Sequence, residues 1–176
     1  MQKIIKAKPE HLQALSKCFR RCDEANPLCP DEETLSQQVE DGNVIILIDD
    51  RRVYGFAIVT RDIRSGVFGA LPHKSADYYG LLDELGDIDE NVIAIPCFMV
   101  DPASNYQENA KFLFDYLSAT YRKPLMLIRA EANPSEAKTT FLKRYRAVLY
   151  QGDVALEGKL YLKKFEVDGL ARGFAW

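Results

Sequence analysis

Apolar and polar residues alternate weakly from Gln2 to Ala7 and give way at Pro9, whose fixed φ suits the first turn of a helix. A short strand followed by a helix is predicted. In that helix Leu12, Leu15, Phe19 and Cys22 recur at steps of three and four, which gathers them on one buried face. The run from Asn26 to Pro30 stops it, and Asp31 is placed to cap a shorter helix ending at Gly42, with Leu35 and Val39 on its buried side. From Asn43 the period becomes that of strands. Two β-branched and aromatic runs, Asn43 to Asp49 and Arg52 to Thr60, are joined across Asp50 and Arg51 and predict an antiparallel hairpin. Arg61 to Asn91 carries Gly66, Gly69, Pro72, Gly80 and Gly86, too much punctuation for a long element, and reads as a surface insertion with one short helix from Tyr78 to Leu85. Val92 to Val100 is again a strand, and Pro96 inside it cannot donate a ladder hydrogen bond, so a bulge or a locally unpaired side is expected there.

After the break at Asp101 and Pro102 the pattern predicts a helix from about Tyr106 to Tyr121, with Ala110, Leu113 and Leu117 on one face. A strand beginning at Leu125 follows. Asn133, Pro134 and Ser135 open a further helix to about Tyr145, and strands near Ala147 to Tyr150 and Gly158 to Val167 complete the chain. The expected fold is a single α/β (α+β) domain spanning residues 1–176, a mixed, mostly antiparallel twisted sheet of about seven strands flanked by about four helices.

Composition narrows the function. With 47% hydrophobic and 28% charged residues in 176, the chain has apolar area enough for a core without staples. The formal charge of −3 argues against a general nucleic-acid binder, which needs a basic surface. Neither Cys18, Cys22, Cys29 and Cys97 nor His11 and His73 form a zinc pattern, so no metal is expected. All four cysteines are read as reduced thiols. With no signal-like start and no apolar run of about 20 residues, a cytoplasmic protein that does not enter the membrane is expected. Cys97, in the most apolar strand, is read as a buried inert thiol rather than a nucleophile.

The element order, together with Phe98, Met99, Val100, Asp101 and Pro102 leading into a helix, resembles the GNAT superfamily of acyl-CoA-dependent N-acyltransferases. The resemblance implies that the fourth and fifth strands splay apart. The pantetheine arm of acetyl-CoA or another acyl-CoA would then lie along Phe98, Met99 and Val100, and the pyrophosphate on backbone N–H groups where the next helix begins. The family's phosphate-loop pattern falls at Asn105, Glu108 and Ala110, of which only Ala110 matches, and Glu108 sets a carboxylate beside the pyrophosphate. The implied cofactor-binding set is completed by Tyr106, Gln107, Asn109 and Lys111, with Gln107 to Lys111 expected to supply the backbone donors. Asn133 is read either as a cofactor ligand or as a helix cap.

The resemblance also implies a general base on the fourth strand and a tyrosine acid on the last helix, but these positions hold Pro96, Cys97 and Leu142. Glu131 is then the nearest carboxylate and Tyr145 the nearest phenol. The implied acceptor is the amine of a small molecule or peptide, and a second copy of the chain is a candidate partner. Two other readings stay open: a module of this fold that binds or senses acyl-CoA without turnover, and a structural subunit docking a partner through its apolar strands or the tail Phe174 to Trp176.

Overall fold

The computed structural model describes residues 1–22, 32–50, 52–61, 92–129, 136–144, 148–149 and 160–164. The insertion apart from Arg61, the cap at Asp31, the residues Cys29, His73, Glu131, Asn133 and Tyr145, and the C-terminal tail lie outside them.

Strand β1 (Lys3–Lys6) leads through a 3-10 turn at Pro9–His11 into α1 (Leu12–Arg21), and Pro9 sits in the first turn as its ring geometry favours. Helix α2 (Glu32–Glu40) ends at Gly42, whose φ of 73° places it in the left-handed region that glycine enters without strain. The hairpin is β2 (Val44–Ile48) and β3 (Val53–Thr60). Then come β4 (Ile93–Val100), α3 (Tyr106–Tyr121), β5 (Leu125–Arg129), α4 (Glu136–Arg144), β6 (Val148–Leu149) and β7 (Leu160–Lys164).

These strands form one seven-stranded sheet in the order β1-β2-β3-β4-β5-β7-β6, the mixed α/β architecture expected. Pairing is antiparallel from β1 to β4, while β4 with β5, β5 with β7 and β6 with β7 run parallel. The parallel half is the part that local alternation does not report, because strand direction is set by the crossover and not by the strand's own residues.

The core lies in two layers, one on each face of the sheet. Leu15 and Cys18 of the first helix, Cys22 at its C-cap, and Leu35 and Val39 of the second helix cover Ile46, Phe56, Ile58, Cys97 and Met99. On the other face Ala110, Leu113, Phe114 and Leu117 of α3, with Phe141 of α4, cover Ala57, Val59, Ile93, Ile95, Phe98 and Val100. Phe141 stacks on Phe98 with ring centroids 5.4 Å apart and meets the edge of Phe114 at 5.7 Å, so one ring ties α4 to both β4 and α3.

On β4 the residues facing α3 are Ile93 and Ile95, then Phe98 and Val100, so the alternation slips by one residue across Pro96. The pairing with β3 records the same slip: Cys97 opposes Ile58, whereas Ala94 opposes Thr60. Ile95 and Pro96 thus stand against Val59 alone, which is the bulge that a proline without an N–H produces.

Candidate functional site

Beyond the bulge β4 and β5 part. Their ladder holds Ile93 to Leu125, Ala94 to Met126 and Ile95 to Leu127 and then ends, although β4 continues to Val100 and β5 continues to Arg129 along β7. The Asp101 N–H donates to the Tyr54 carbonyl at 2.8 Å, which fixes the phase of the β3 side. Cys97, Met99 and Asp101 therefore turn their backbone groups to β3, and Phe98 and Val100 turn theirs toward the side β5 has left. The gap begins where Pro96 interrupts the pairing.

Helix α3 starts at the open end of that gap. Asn105 is its N-cap, and the first closed helical bond runs from the Asn109 N–H to the Asn105 carbonyl at 3.0 Å. The backbone N–H groups of Gln107 and Glu108 precede that bond in the first turn and point along the positive end of the helix dipole. This corrects the expected donor set of Gln107 to Lys111, because the N–H groups of Asn109, Ala110 and Lys111 already fall inside the helical bonding pattern. The Asn109 side chain is buried and donates to the Ser104 hydroxyl at 2.9 Å, and Ala110 is packed in the core. Gln107 is drawn toward α4, donating through Nε2 to the Ala137 carbonyl at 2.7 Å. Lys111 pairs with Asp115 one turn on, and Glu108 is exposed. Tyr106 packs partly buried against the α3 side of the core.

The turn between β4 and α3 is organised by Asp101, which is fully buried. Its Oδ1 accepts the Ala103 N–H at 2.9 Å, and its carbonyl accepts the Ser104 N–H at 3.0 Å and the Ser104 hydroxyl at 2.6 Å. Its Oδ2 accepts Arg21 Nε at 2.5 Å and Arg52 Nη2 at 3.2 Å. Arg21 also donates to the Val53 carbonyl at 2.9 Å, so the end of α1, the start of β3 and the turn before α3 meet at one carboxylate. The hydrogen bond and charge of Asp101 hold the Arg21 guanidinium above its ordinary pKa, overcoming the larger single effect of burial, which works the other way. No local pattern marked this knot in the sequence, and the Asp-Pro step after an apolar strand is its one visible trace.

Gly55 is the close approach that brings β3 and β4 together here. A Cβ on it would meet the Met99 carbonyl oxygen at 2.8 Å and Val100 Cγ2 at 3.1 Å, so any side chain would push the end of β4 away. Cys97 is buried beneath α1 among apolar neighbours, as an inert thiol would be. Cys18 and Cys22 are not joined as a disulfide, their Sγ atoms standing 4.0 Å apart. A hydrogen bond with Cys22, helped by the Arg21 and Arg52 charges, holds the Cys18 thiol below its ordinary pKa against burial and Asp101.

No family model matches the chain, and no curated protein matches it in sequence. Solved structures do. A polyamine N-acetyltransferase of Drosophila melanogaster, which forms N-acetylagmatine, superposes with a TM-score of 0.54 at 11% identity over 90% of each chain. The ribosomal-protein-S18-alanine N-acetyltransferase of Escherichia coli gives 0.51 at 16% identity, over 82% of this chain and 75% of that one. N-acetylglutamate synthase of Neisseria gonorrhoeae, solved with coenzyme A and N-acetyl-glutamate, gives 0.53 at 15% identity, and the match covers 82% of this chain but only 28% of that one. The chain has the GNAT fold. Within it the parted β4 and β5 and the α3 start stand where the resemblance places them, whereas Glu131, Asn133 and Tyr145 lie outside the described residues. No described helix of this GNAT fold is long and apolar enough to cross a membrane.

Proposed function

We propose that the protein binds acyl-CoA in the gap between β4 and β5 and transfers the acyl group to an amine by direct attack on the thioester. The observation that carries this reading is the ladder that stops at Ile95 while β4 runs on to Val100 and leads into the start of α3. The Phe98 and Val100 backbone groups would hold the pantetheine amides, and the N–H groups of Gln107 and Glu108 the pyrophosphate. Bound geometry supplies much of the rate, since holding amine and thioester in line is worth about 7–11 kcal/mol of barrier. Glu131 is assigned as the base that takes the amine proton and Tyr145 as the acid that protonates the leaving thiolate. Asn133 is assigned to cofactor binding, and the acceptor is a small-molecule or peptide amine.

The test is acetyl-CoA titration by calorimetry, followed by release of free thiol with a panel of amines. Tyr145→Phe should lower turnover by about 10²-fold with acetyl-CoA affinity unchanged, since an acid acts only as charge develops on sulfur. A change under about 3-fold would remove Tyr145 from the mechanism. A second reading, an acyl-CoA-binding module without turnover, is favoured by the exposed Glu108 beside those donors and by Lys111 and Gln107 being committed elsewhere. Binding of acetyl-CoA without thiol release from any amine would support it over transfer.

A further inference from the structure

Asp101 is in phase with Cys97 and Met99, so the knot it forms with Arg21 and Arg52 lies on the α1 and α2 face at the end of β4, across the sheet from α3. In a direct transfer the acceptor must reach the thioester from a side the cofactor does not fill. With the diphosphate at the start of α3, that side is the face carrying the arginines. Resting on that acyl-transfer reading, we infer that Arg21 and Arg52 bind an anionic group, a carboxylate or phosphate, carried by the amine acceptor.

The two guanidiniums are built as a receptor. Each is fixed from below by the buried Asp101, while the side chains themselves remain 35% and 38% exposed. Arg52 is further seated over the Tyr54 ring, its Cζ 4.5 Å from the centroid. Among the described residues a neighbouring carboxylate, Asp49, is occupied by the Arg52 backbone N–H at 3.0 Å and the Tyr54 hydroxyl at 2.7 Å. One Asp101 therefore serves two cations. Arg52 donates to it only through Nη2, and its buried Nε has no hydrogen-bond partner among the described residues. The exposed part of each planar fork, its orientation already set by Asp101, loses little entropy on taking an oxyanion. An amine whose far end is a carboxylate or phosphate would complete the set, and a purely cationic polyamine would be repelled.

The test uses the full chain loaded with CoA and follows the Nε–Hε signals of Arg21 and Arg52 while glutarate, or separately inorganic phosphate, is added. Saturable shifts of both signals are expected, and the tighter arm assigns carboxylate or phosphate. Arg52→Gln should weaken that binding by about tenfold or more with CoA affinity unchanged, and Arg52→Lys, which keeps charge but not the fork, should restore it only in part. Unmoved signals with both anions, or binding by Arg52→Gln equal to the parent chain, would overturn the inference while leaving CoA binding intact. Loss of the transferase reading is distinguished by the loading step itself: a chain that takes no CoA overturns that reading, and the acceptor role with it, whatever glutarate does.

Discussion

Replacing Asp101 by Asn removes one charge and keeps the shape. The Asn side-chain oxygen can still accept the Ala103 N–H, and the backbone bonds of Ser104 are untouched, so the turn before α3 is preserved. What is lost is the pairing with Arg21 at 2.5 Å and Arg52 at 3.2 Å. Charged hydrogen bonds are worth about 1.5–3 kcal/mol each, and removing one partner of a fully buried pair costs about 3–5 kcal/mol. Both arginines are roughly a third exposed and can turn to water, so the loss belongs at the lower end, about 2–3 kcal/mol. Urea denaturation should show that loss with an unchanged m value, and a melting temperature lower by about 4–12 °C for a chain of this size. Asp101→Ala should cost about 1 kcal/mol more, because it also strips the acceptor from the Ala103 N–H. A loss under about 0.5 kcal/mol for Asp101→Asn, or equal losses for the two variants, would mean that the carboxylate does not tie these three segments together.

Cys97→Ala should lower stability by about 1 kcal/mol in denaturant melts and leave thiol release within a few-fold; lost turnover at unchanged stability would make the thiol a participant. Glu108→Gln should tighten CoA binding about 3-fold in low-salt calorimetry, as expected for one charge some 6 Å from the phosphates in water, and the gain should vanish as salt is raised. Gly55→Ala should cost about 1–3 kcal/mol by denaturation and weaken CoA binding, because the Met99 carbonyl must move to admit the methyl group. Burial, with Tyr116 adding to it and Arg61 opposing, raises the Tyr121 pKa, so the folded state resists its ionisation. That stability is complete below the ordinary tyrosine pKa of about 10 and is lost as pH rises through the folded value; alkaline melts of Tyr121→Phe should lack the step.

Much of this architecture was legible because it is written in local periods. The steps of three and four from Leu12 to Cys22 marked the packed side of α1, of which Leu15 and Cys22 are buried and Leu12 and Phe19 partly so, while the buried Cys18 was not singled out; α3 runs from Tyr106 to Tyr121 as its pattern predicted. Pro96 announced the bulge, since a residue without an N–H has a consequence wherever a strand places it, whereas the parting of β4 and β5 was implied by the family resemblance alone. The parallel arrangement of β5, β6 and β7 was not legible, because direction is decided by how the chain crosses over. The Asp101 knot was hidden for a related reason: its partners stand 80 and 49 residues away along the chain, and nothing around Arg21 or Arg52 distinguishes either from a solvated charge. The proposed phosphate donors are confined to Gln107 and Glu108 because the hydrogen bond from Asn109 to Asn105 closes the helix one turn in, which a pattern of apolar positions does not report.

The most direct measurement is an amide-resolved NMR titration of the intact chain with CoA. An arm along β4 and a diphosphate at the start of α3 should move the amides of Phe98, Val100, Gln107 and Glu108 together, with one saturation curve, and leave that of Lys111 nearly still. Saturable shifts confined to other parts of the sheet, or none at all, would contradict the assignment of the gap beyond Pro96 as the cofactor site.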